Sequence, residues 1–426
     1  MADRYQVGGS LAGLFSSIVL LRQGHNVTIL ERSPTPLLQN QGAGVVAGGE
    51  TQAFFSMHDR TKRPIAVTSA QRLYLNKPGA IVDREDSVQR MTSWDLLYYL
   101  GRANFDRVKS DYLPKGEAPG WNSAEGTARY EYGRLVIDAK EVGEKVEVVF
   151  EDVRPDHGGA DTRGDNHDNP NKRQTIQADL LVAADGPSSR LRRLFLPSAP
   201  RRTYAGYVAF RGTVPECELS AAAEQVFVEK FTFFHAHETQ ILAYTIPGAE
   251  GTLEKGRRLV NWVWYCNYQE SSREYEELMT DMDGVKHHLT LPTGGKMRPE
   301  VWERQKEHAQ KTLPPQFAEI VTKTTMPFAQ AITDLPPPER GTAFSRLLNG
   351  KAMLVGDALC GFRPHTAAST SQAAFHALQL EGVFLGKLSW DEYEARVLDF
   401  ARGWYKRGVM LGTRSQFGHH PLQFDD

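Results

Sequence analysis

The chain has 426 residues, of which 40% are hydrophobic, 10% aromatic and 24% charged; this is enough for two or three domains with a large buried core and excludes whole-chain disorder. Fifty Lys and Arg against 52 Asp and Glu leave a net charge of −2, without the dense basic block that grips a phosphate backbone, so nucleic acid is not an expected partner. Cys217, Cys266 and Cys360 are odd in number and far apart, which fits neither a disulfide framework nor a zinc site and points to a reducing, cytoplasmic compartment.

In chain order, residues 5–7 read as a short strand, Gly8 and Gly9 as a turn, 11 to about 23 as a helix ended by Gly24, and 27–30 as a second strand. The apolar stretch 11–21 is too short to span a bilayer and has no basic leader, so it is expected as a buried helix, with no membrane association. Residues 93–105 carry helical apolar spacing with Ser93 as N-cap. Strands are expected at 145–150 and 176–184, with 154–175 between them, too polar to order itself, as a mobile and dispensable hairpin insertion. From 204 the texture turns to aromatic strands at 207–213, 225–234, 240–246 and 258–268, with helices near 275–281 and 300–311. A buried strand at 351–355 ends in Gly356-Asp357 and is followed by helices at 370–388 and from 390 to about 411. The fold class expected is α/β, a Rossmann-type domain carrying an inserted β-sheet domain. Its division is 1–80, 81–203 and 340–388 for the first domain, 204–339 for the sheet domain, and 389–426 for a C-terminal helix and tail.

Gly8-Gly9-Ser10-Leu11-Ala12-Gly13 lies between a strand and a helix, where backbone N–H groups at the helix start hold a pyrophosphate, although Ser10 stands at the second glycine of the usual fingerprint. Glu31 ends the next strand, where an acidic residue accepts hydrogen bonds from an adenosine ribose. Two further signals are Asp185-Gly186, in a segment running to Arg192, and Gly356-Asp357-Ala358 with Arg363-Pro364-His365 after it. Asp357 ends a buried strand, where an unpaired carboxylate would be costly. Strand 261–265 is two-faced by alternation, with Asn261, Val263 and Tyr265 on one side and Trp262 and Trp264, read as core, on the other. His287-His288 has no further ligand at a metal-binding spacing and no metal is expected.

In these three segments, in this order, the chain resembles the class A flavin monooxygenases, single-component aromatic hydroxylases that carry FAD and use NADPH or NADH with O2. Gly9–Gly13, Tyr207-Val-Ala-Phe-Arg211-Gly212, Asn261-Trp-Val-Trp-Tyr265, Pro327-Phe-Ala-Gln330 and Arg363-Pro-His-Thr-Ala-Ala resemble the 2,6-dihydroxypyridine 3-hydroxylase branch. The resemblance implies an FAD domain with a substrate sheet laid over the flavin. By position it assigns Gly8, Gly9, Ser10, Leu11, Gly13, Glu31 and Arg32 to the adenosine and pyrophosphate half. Gly42, Ala43 and Gly44 would let the backbone approach the isoalloxazine, and the alternative is an ordinary loop. Asp185, Asp357, Ala367 and Ala368 complete the cofactor set, with Asp357 on the ribityl chain. Arg211, Asn261 and Tyr265 are the candidate substrate-binding residues. His365, beside Pro364, is expected near the reacting edge of the flavin, either orienting or deprotonating a hydroxylated ring or serving as a loop imidazole bonded to backbone. A small aromatic substrate is the expected partner, and a homodimer is one option for assembly. The alternatives are a flavin dehydrogenase on the same fold and a flavin-poor, non-catalytic relative.

Three departures bear on the cofactor. The first strand is short and polar, Asp3-Arg4-Tyr5-Gln6-Val7; Ser369 stands where a glycine is usual, and His376 replaces a frequent Asp. Flavin retention is therefore expected to be the weak point of this chain.

Overall fold

The computed structural model describes residues 2–35, 44–113, 118–120, 122–153, 173–292, 294–339 and 347–418. The first strand and helix follow the sequence pattern: β1 (Asp3–Val7), a glycine turn, α1 (Leu11–Arg22), then β2 (Asn26–Leu30). Gly24 ends the helix with φ +83°, a conformation that favours glycine. Next come β3 (Gly44–Val46), α2 (Gly49–His58), the hairpin β4 (Val67–Leu75) and β5 (Ile81–Ser93), and α3 (Trp94–Phe105). Ser93 caps α3 by accepting the Leu96 N–H, as its position predicts. β6 (Ala128–Glu131), β7 (Arg134–Val142), β8 (Lys145–Asp152), β9 (Gln174–Ala178) and β10 (Leu180–Ala183) precede the short α4 (Arg190–Phe195). Residues 154–172 of the expected insertion lie outside the described residues, and 174–175 belong to β9, paired with Phe150 and Val149 of β8.

The aromatic segment supplies β11 (Thr203–Pro215), α5 (Ala221–Phe227), β12 (Lys230–Ala236), β13 (Thr239–Ile246) and β14 (Leu259–Asn267). The strand expected at 225–234 starts only at Lys230, and 225–227 close α5, because Ser220 accepts the Ala223 N–H and three alanines follow it. Then come α6 (Arg273–Leu278), β15 (Thr290–Leu291), α7 (Pro299–Thr312), α8 (Pro315–Lys323), β16 (Phe328–Asp334), β17 (Ala352–Leu354), α9 (Ser369–Phe384) and α10 (Trp390–Phe417).

Among the described residues the strands form three sheets. A parallel sheet of order β17-β10-β1-β2-β6 is covered by α1, α3 and α9 over one continuous core. This is the doubly wound opening, with β1 in its middle and the chain reversing on either side of it, so that a crevice opens at the carboxyl ends of the strands. The second sheet, order β15-β16-β11-β14-β13-β12-β4-β5-β3, takes β3, β4 and β5 from before residue 94, so sheet membership does not follow the division at 203/204. A strand alternation of two separates its faces. Trp262, Trp264, Val208 and Phe210 pack under α5 to α8, while Tyr207, Ala209, Val263, Tyr265, Leu242 and Tyr244 form the other face, turned toward the first domain. The third sheet is the antiparallel β7-β8-β9.

α10 joins the two large sheets. Its first half buries Tyr393, Val397, Leu398 and Ala401 in the core of the parallel sheet, and its last turn hydrogen-bonds Ser415 to Gln240 of β13 at 2.9 Å.

Candidate active site

The glycine turn is built so tightly that side chains are excluded. Gly8 has φ +93°, and a Cβ there would lie 2.4 Å from the Ala184 carbonyl oxygen; one on Gly13 would lie 2.0 Å from the Gly8 carbonyl oxygen. Gly9 faces Tyr130, whose hydroxyl donates to the Gly9 carbonyl at 3.1 Å. Tyr130 in turn stacks under the Arg102 guanidinium at 3.6 Å, and Arg102 is neutralised by Asp106. Glu31 is buried and accepts the Gly9 N–H at 2.7 Å and the Ser33 N–H at 2.8 Å, which ties the end of β2 to the turn. Ser10 makes no side-chain cap, and neither it nor Leu11 puts an acidic group at the start of α1, so the positive end of that helix faces the crevice unopposed. Arg32 is exposed beside it.

The second strand-end lies next to the first: a Cβ on Gly356 (φ +59°) would fall 2.5 Å from the Ala12 Cβ. Asp357 follows, half-buried, and among the described residues nothing donates a hydrogen bond to its carboxylate. Burial raises its pKa to about 6, against a weak opposing pull from Arg202. His376 of α9 accepts the Gly356 N–H through Nδ1 at 3.0 Å and so does what an Asp would do there; burial pushes its pKa down to about 3, keeping the ring neutral. Ala367 (φ +51°) and the N-cap Ala368 lead into α9, a second helix start without a side-chain cap or an acidic first turn. Ser369 has become the first residue of that helix.

Asp185 follows β10, with its Cα close to Gly8 of the glycine turn. Its carboxylate accepts from the Ser189 hydroxyl at 2.6 Å, the Arg190 N–H at 2.8 Å and the Leu191 N–H at 3.2 Å, and so caps α4. The helix then presents buried Arg192 to the carbonyls of Ala358, Leu359 and Pro336, clamping the loop after Asp357. Asp185 thus fixes the start of α4, the helix that carries Arg192.

The face of the nine-stranded sheet closes the crevice from above. Gly44 meets Asn261 and Tyr244 so closely that a Cβ would lie 2.6 Å from Asn261 Cγ, and its N–H donates to Asn261 Oδ1 at 3.1 Å, leaving the buried Nδ2 without a partner. Gly42 and Ala43 lie outside the described residues. Arg211 sits opposite Val263 in the register, where its charge reaches both Tyr244 and Tyr265, and its buried Nε has no partner. Burial pushes the Tyr244 hydroxyl up to about 12 and Tyr265 higher still. His365, on the turn Pro364–Thr366, stacks on Tyr265 with ring centroids 4.1 Å apart, and its Nε2 lies 2.9 Å from the Tyr207 hydroxyl. Its partner is thus a side chain and not the backbone. Burial and the charge of Arg363 depress the imidazole to about 3.

The structure thus brings Gly44, Arg211, Asn261, Tyr265, Pro364 and His365 together on one side of the crevice, and the glycine turn, Glu31 and Asp357 on the other. The sequence assigns no role to Tyr207, Arg192 or Arg363, which lie within its motif segments, or to Tyr244 and Asp334, which lie outside them; the register of β11 against β14 and the return of β16 bring Tyr207 and Asp334 to the site. His287 is bound to Asp281 at 2.9 Å, and among the described residues no three His, Cys, Asp or Glu side chains converge as metal ligands would.

The crevice fits FAD on two grounds: glycines at positions where any Cβ would collide, and a buried-strand carboxylate without a donor between two uncapped helix starts. These features define a flavoprotein of the doubly wound class with a sheet roofing the flavin site. A family model described as FAD binding domain-like matches residues 204–334. The chain is 27% identical over 420 residues to 2,6-dihydroxypyridine 3-monooxygenase of Paenarthrobacter nicotinovorans, covering 97% of this chain and 91% of the relative. Its fold superposes on the structure of 2,6-dihydroxypyridine-3-hydroxylase from Arthrobacter nicotinovorans with a TM-score of 0.77 at 23% identity, covering 100% of this chain and 96% of that one. Klebsiella pneumoniae HpxO, solved with FAD and uric acid, gives 0.68 at 18% identity over 99% and 90% of the two chains. Over nearly its whole length the chain is thus similar in sequence and fold to class A FAD-dependent monooxygenases.

Proposed function

We propose that this chain uses NAD(P)H and O2 to hydroxylate a small, electron-rich aromatic or N-heteroaromatic ring. The observation that carries the reading is the juxtaposition of Arg211, Asn261, Tyr265 and His365 on the sheet face over Gly44 and the crevice holding Asp357. When bound, FAD supplies the redox chemistry, accepting a hydride from the nicotinamide and activating O2. The protein's own contribution is binding and exclusion of water. Glu31 and the start of α1 take the adenosine and pyrophosphate half, with Glu31 already holding the glycine turn in shape. Asp357 accepts from a hydroxyl of the ribityl chain.

On the sheet face, Tyr207, Ala209, Val263 and Tyr265 are each almost fully buried, so a ring lying against them is dry. In that setting the Arg211 guanidinium stabilises negative charge on a ring oxygen, and a deprotonated hydroxyl donates electron density into the ring at the carbon to be attacked. Asn261 Nδ2 offers a second donor from the same side. The relatives named 2,6-dihydroxypyridine 3-monooxygenase and 3-hydroxylase act on a ring of this kind and support the choice of substrate class. The test is NAD(P)H oxidation by the FAD-loaded protein across mono- and dihydroxylated benzenes and pyridines, with each product identified by mass. Substrate-stimulated oxidation with a product heavier by one oxygen is expected; stimulation by none of these rings would refute the substrate class.

A further inference from the structure

Three residues from three elements converge behind the imidazole of His365. Asp334, at the end of β16, holds the Arg363 guanidinium through both carboxylate oxygens, with Nε at 2.7 Å and Nη2 at 2.6 Å. Arg363 lies 5.6 Å from the centre of the Tyr207 ring, its Nη1 and the Tyr207 oxygen both lie against Gly412, and Thr413 of α10 takes a further bond from Nη1 at 3.3 Å. Gly412 keeps the cluster closed, since a Cβ there would fall 2.3 Å from the Tyr207 oxygen and 3.0 Å from Arg363 Cδ. A guanidinium has donors and no acceptor, so the Tyr207 lone pairs face Arg363 and its proton is turned away, toward His365 Nε2 at 2.9 Å. With Nε2 occupied as an acceptor, the neutral ring carries its proton on Nδ1.

The geometry points to Asp334, Arg363 and Tyr207 as positioning residues that lock His365 in its Nδ1–H form, a donor that orients an oxygen acceptor of the substrate and cannot serve as its base. The inference rests on the reading above, in which a ring substrate lies on this face. It deepens that reading by specifying the substrate's state: the ring enters with its oxygen already an anion or a carbonyl. The groups around the imidazole agree. Tyr207 and Tyr265 face it from β11 and β14, Arg363 from its own loop, and Tyr405 of α10 lies near Asp334 and Arg363; among the described residues no carboxylate pairs with the ring to hold a second proton on it.

The test reads the ring nitrogens directly, on FAD-loaded protein labelled with 15N-histidine, with the His365 signals assigned by their loss in His365→Gln. The expected spectrum has a protonated Nδ1 and an unprotonated Nε2, unchanged from about pH 5.5 to about pH 8.5. A protonated Nε2, or titration of the ring within that window, would overturn the inference. In Tyr207→Phe the Nε2 signal should lose its hydrogen-bonded character; signals identical to wild type would also overturn it. Should that variant not fold, Asp334→Asn, which keeps every heavy atom of Tyr207 and Arg363, is expected to shift Nε2 in the same direction, and no shift there would be equally fatal. Because the readout is a nitrogen and not turnover, failure here leaves hydroxylation untouched, and a missing hydroxylation leaves this result standing.

Discussion

In the proposed function Asp357 combines a structural cost with a cofactor role. Its pKa, raised to about 6 by burial, means that the protonated form favours the fold. That contribution is complete below about pH 4, the unfolded value, and is lost as the pH rises through about 6. FAD has the opposite preference, because a ribityl hydroxyl donates best to the ionised carboxylate. FAD affinity is therefore expected to weaken as the pH falls through about 6, and Asp357→Asn should abolish that dependence while lowering affinity by about 1–3 kcal/mol, the scale of a hydrogen bond to a charged group. Fluorescence titration of the apoprotein with FAD across this range checks both; an unchanged, pH-dependent affinity in the variant would remove Asp357 from the site. Glu31 and Asp357 stand at strand ends after recognisable glycine signals, so their places are legible in the sequence. Asp185 is equally legible as a motif, but its three bonds to the start of α4 are a local capping arrangement that the motif alone does not distinguish from a ligand contact.

At the scale of elements, β1 runs over the five residues Asp3–Val7, the same length as β2, and pairs with β10 and β2 in unbroken register on both sides. Its polar residues have separate fates. Asp3 binds Asn26 at the exposed end, and Arg4 lies over Phe384. Gln6 alone is fully enclosed, with both amide atoms unpartnered, beneath the glycine turn. A buried polar group without a partner costs about 1–3 kcal/mol, so Gln6→Leu, of similar volume, should raise the thermal midpoint of the apoprotein; a lower midpoint would mean that the amide is satisfied there. Inserting three apolar residues before Gly8 should lower FAD content and not raise it, since the register that sets the Gly8 N–H on the Leu30 carbonyl would shift. Elements with strong local signals, α1, α3 and β14, are readable from sequence to within a residue or two. The hairpin β4–β5 is not, because 82–86 are exposed and carry no apolar alternation.

The whole molecule is held together across the crevice by α10, and this was the least legible part. Its amphipathic pattern predicts a helix to about 411, while the described helix runs to Phe417, and the extra turn is what reaches β13. Gly408 and Gly412 lie one turn apart where the loop of Arg363 to Thr366 and the Tyr207 hydroxyl press against the helix, a close approach that only small residues allow. Gly412→Leu should therefore part the parallel sheet from the nine-stranded one. A loss of thermal stability of about 1–3 kcal/mol is expected from overpacking, with FAD binding weakened less than substrate-stimulated NAD(P)H oxidation, since the glycine turn and Asp357 lie within the first domain. Calorimetry and FAD titration on the same preparation separate the two effects, and wild-type stability would show that the helix can move aside.

Hydroxylation by this protein is tested most directly by the fate of molecular oxygen. With 18O2, NAD(P)H and a dihydroxylated pyridine or benzene that stimulates oxidation, the FAD-loaded protein is expected to release a product carrying one 18O atom, in amounts that track the NAD(P)H consumed. Oxidation of the ring or of NAD(P)H with no 18O in the organic product would contradict it and make the chain a flavin dehydrogenase or oxidase on this fold.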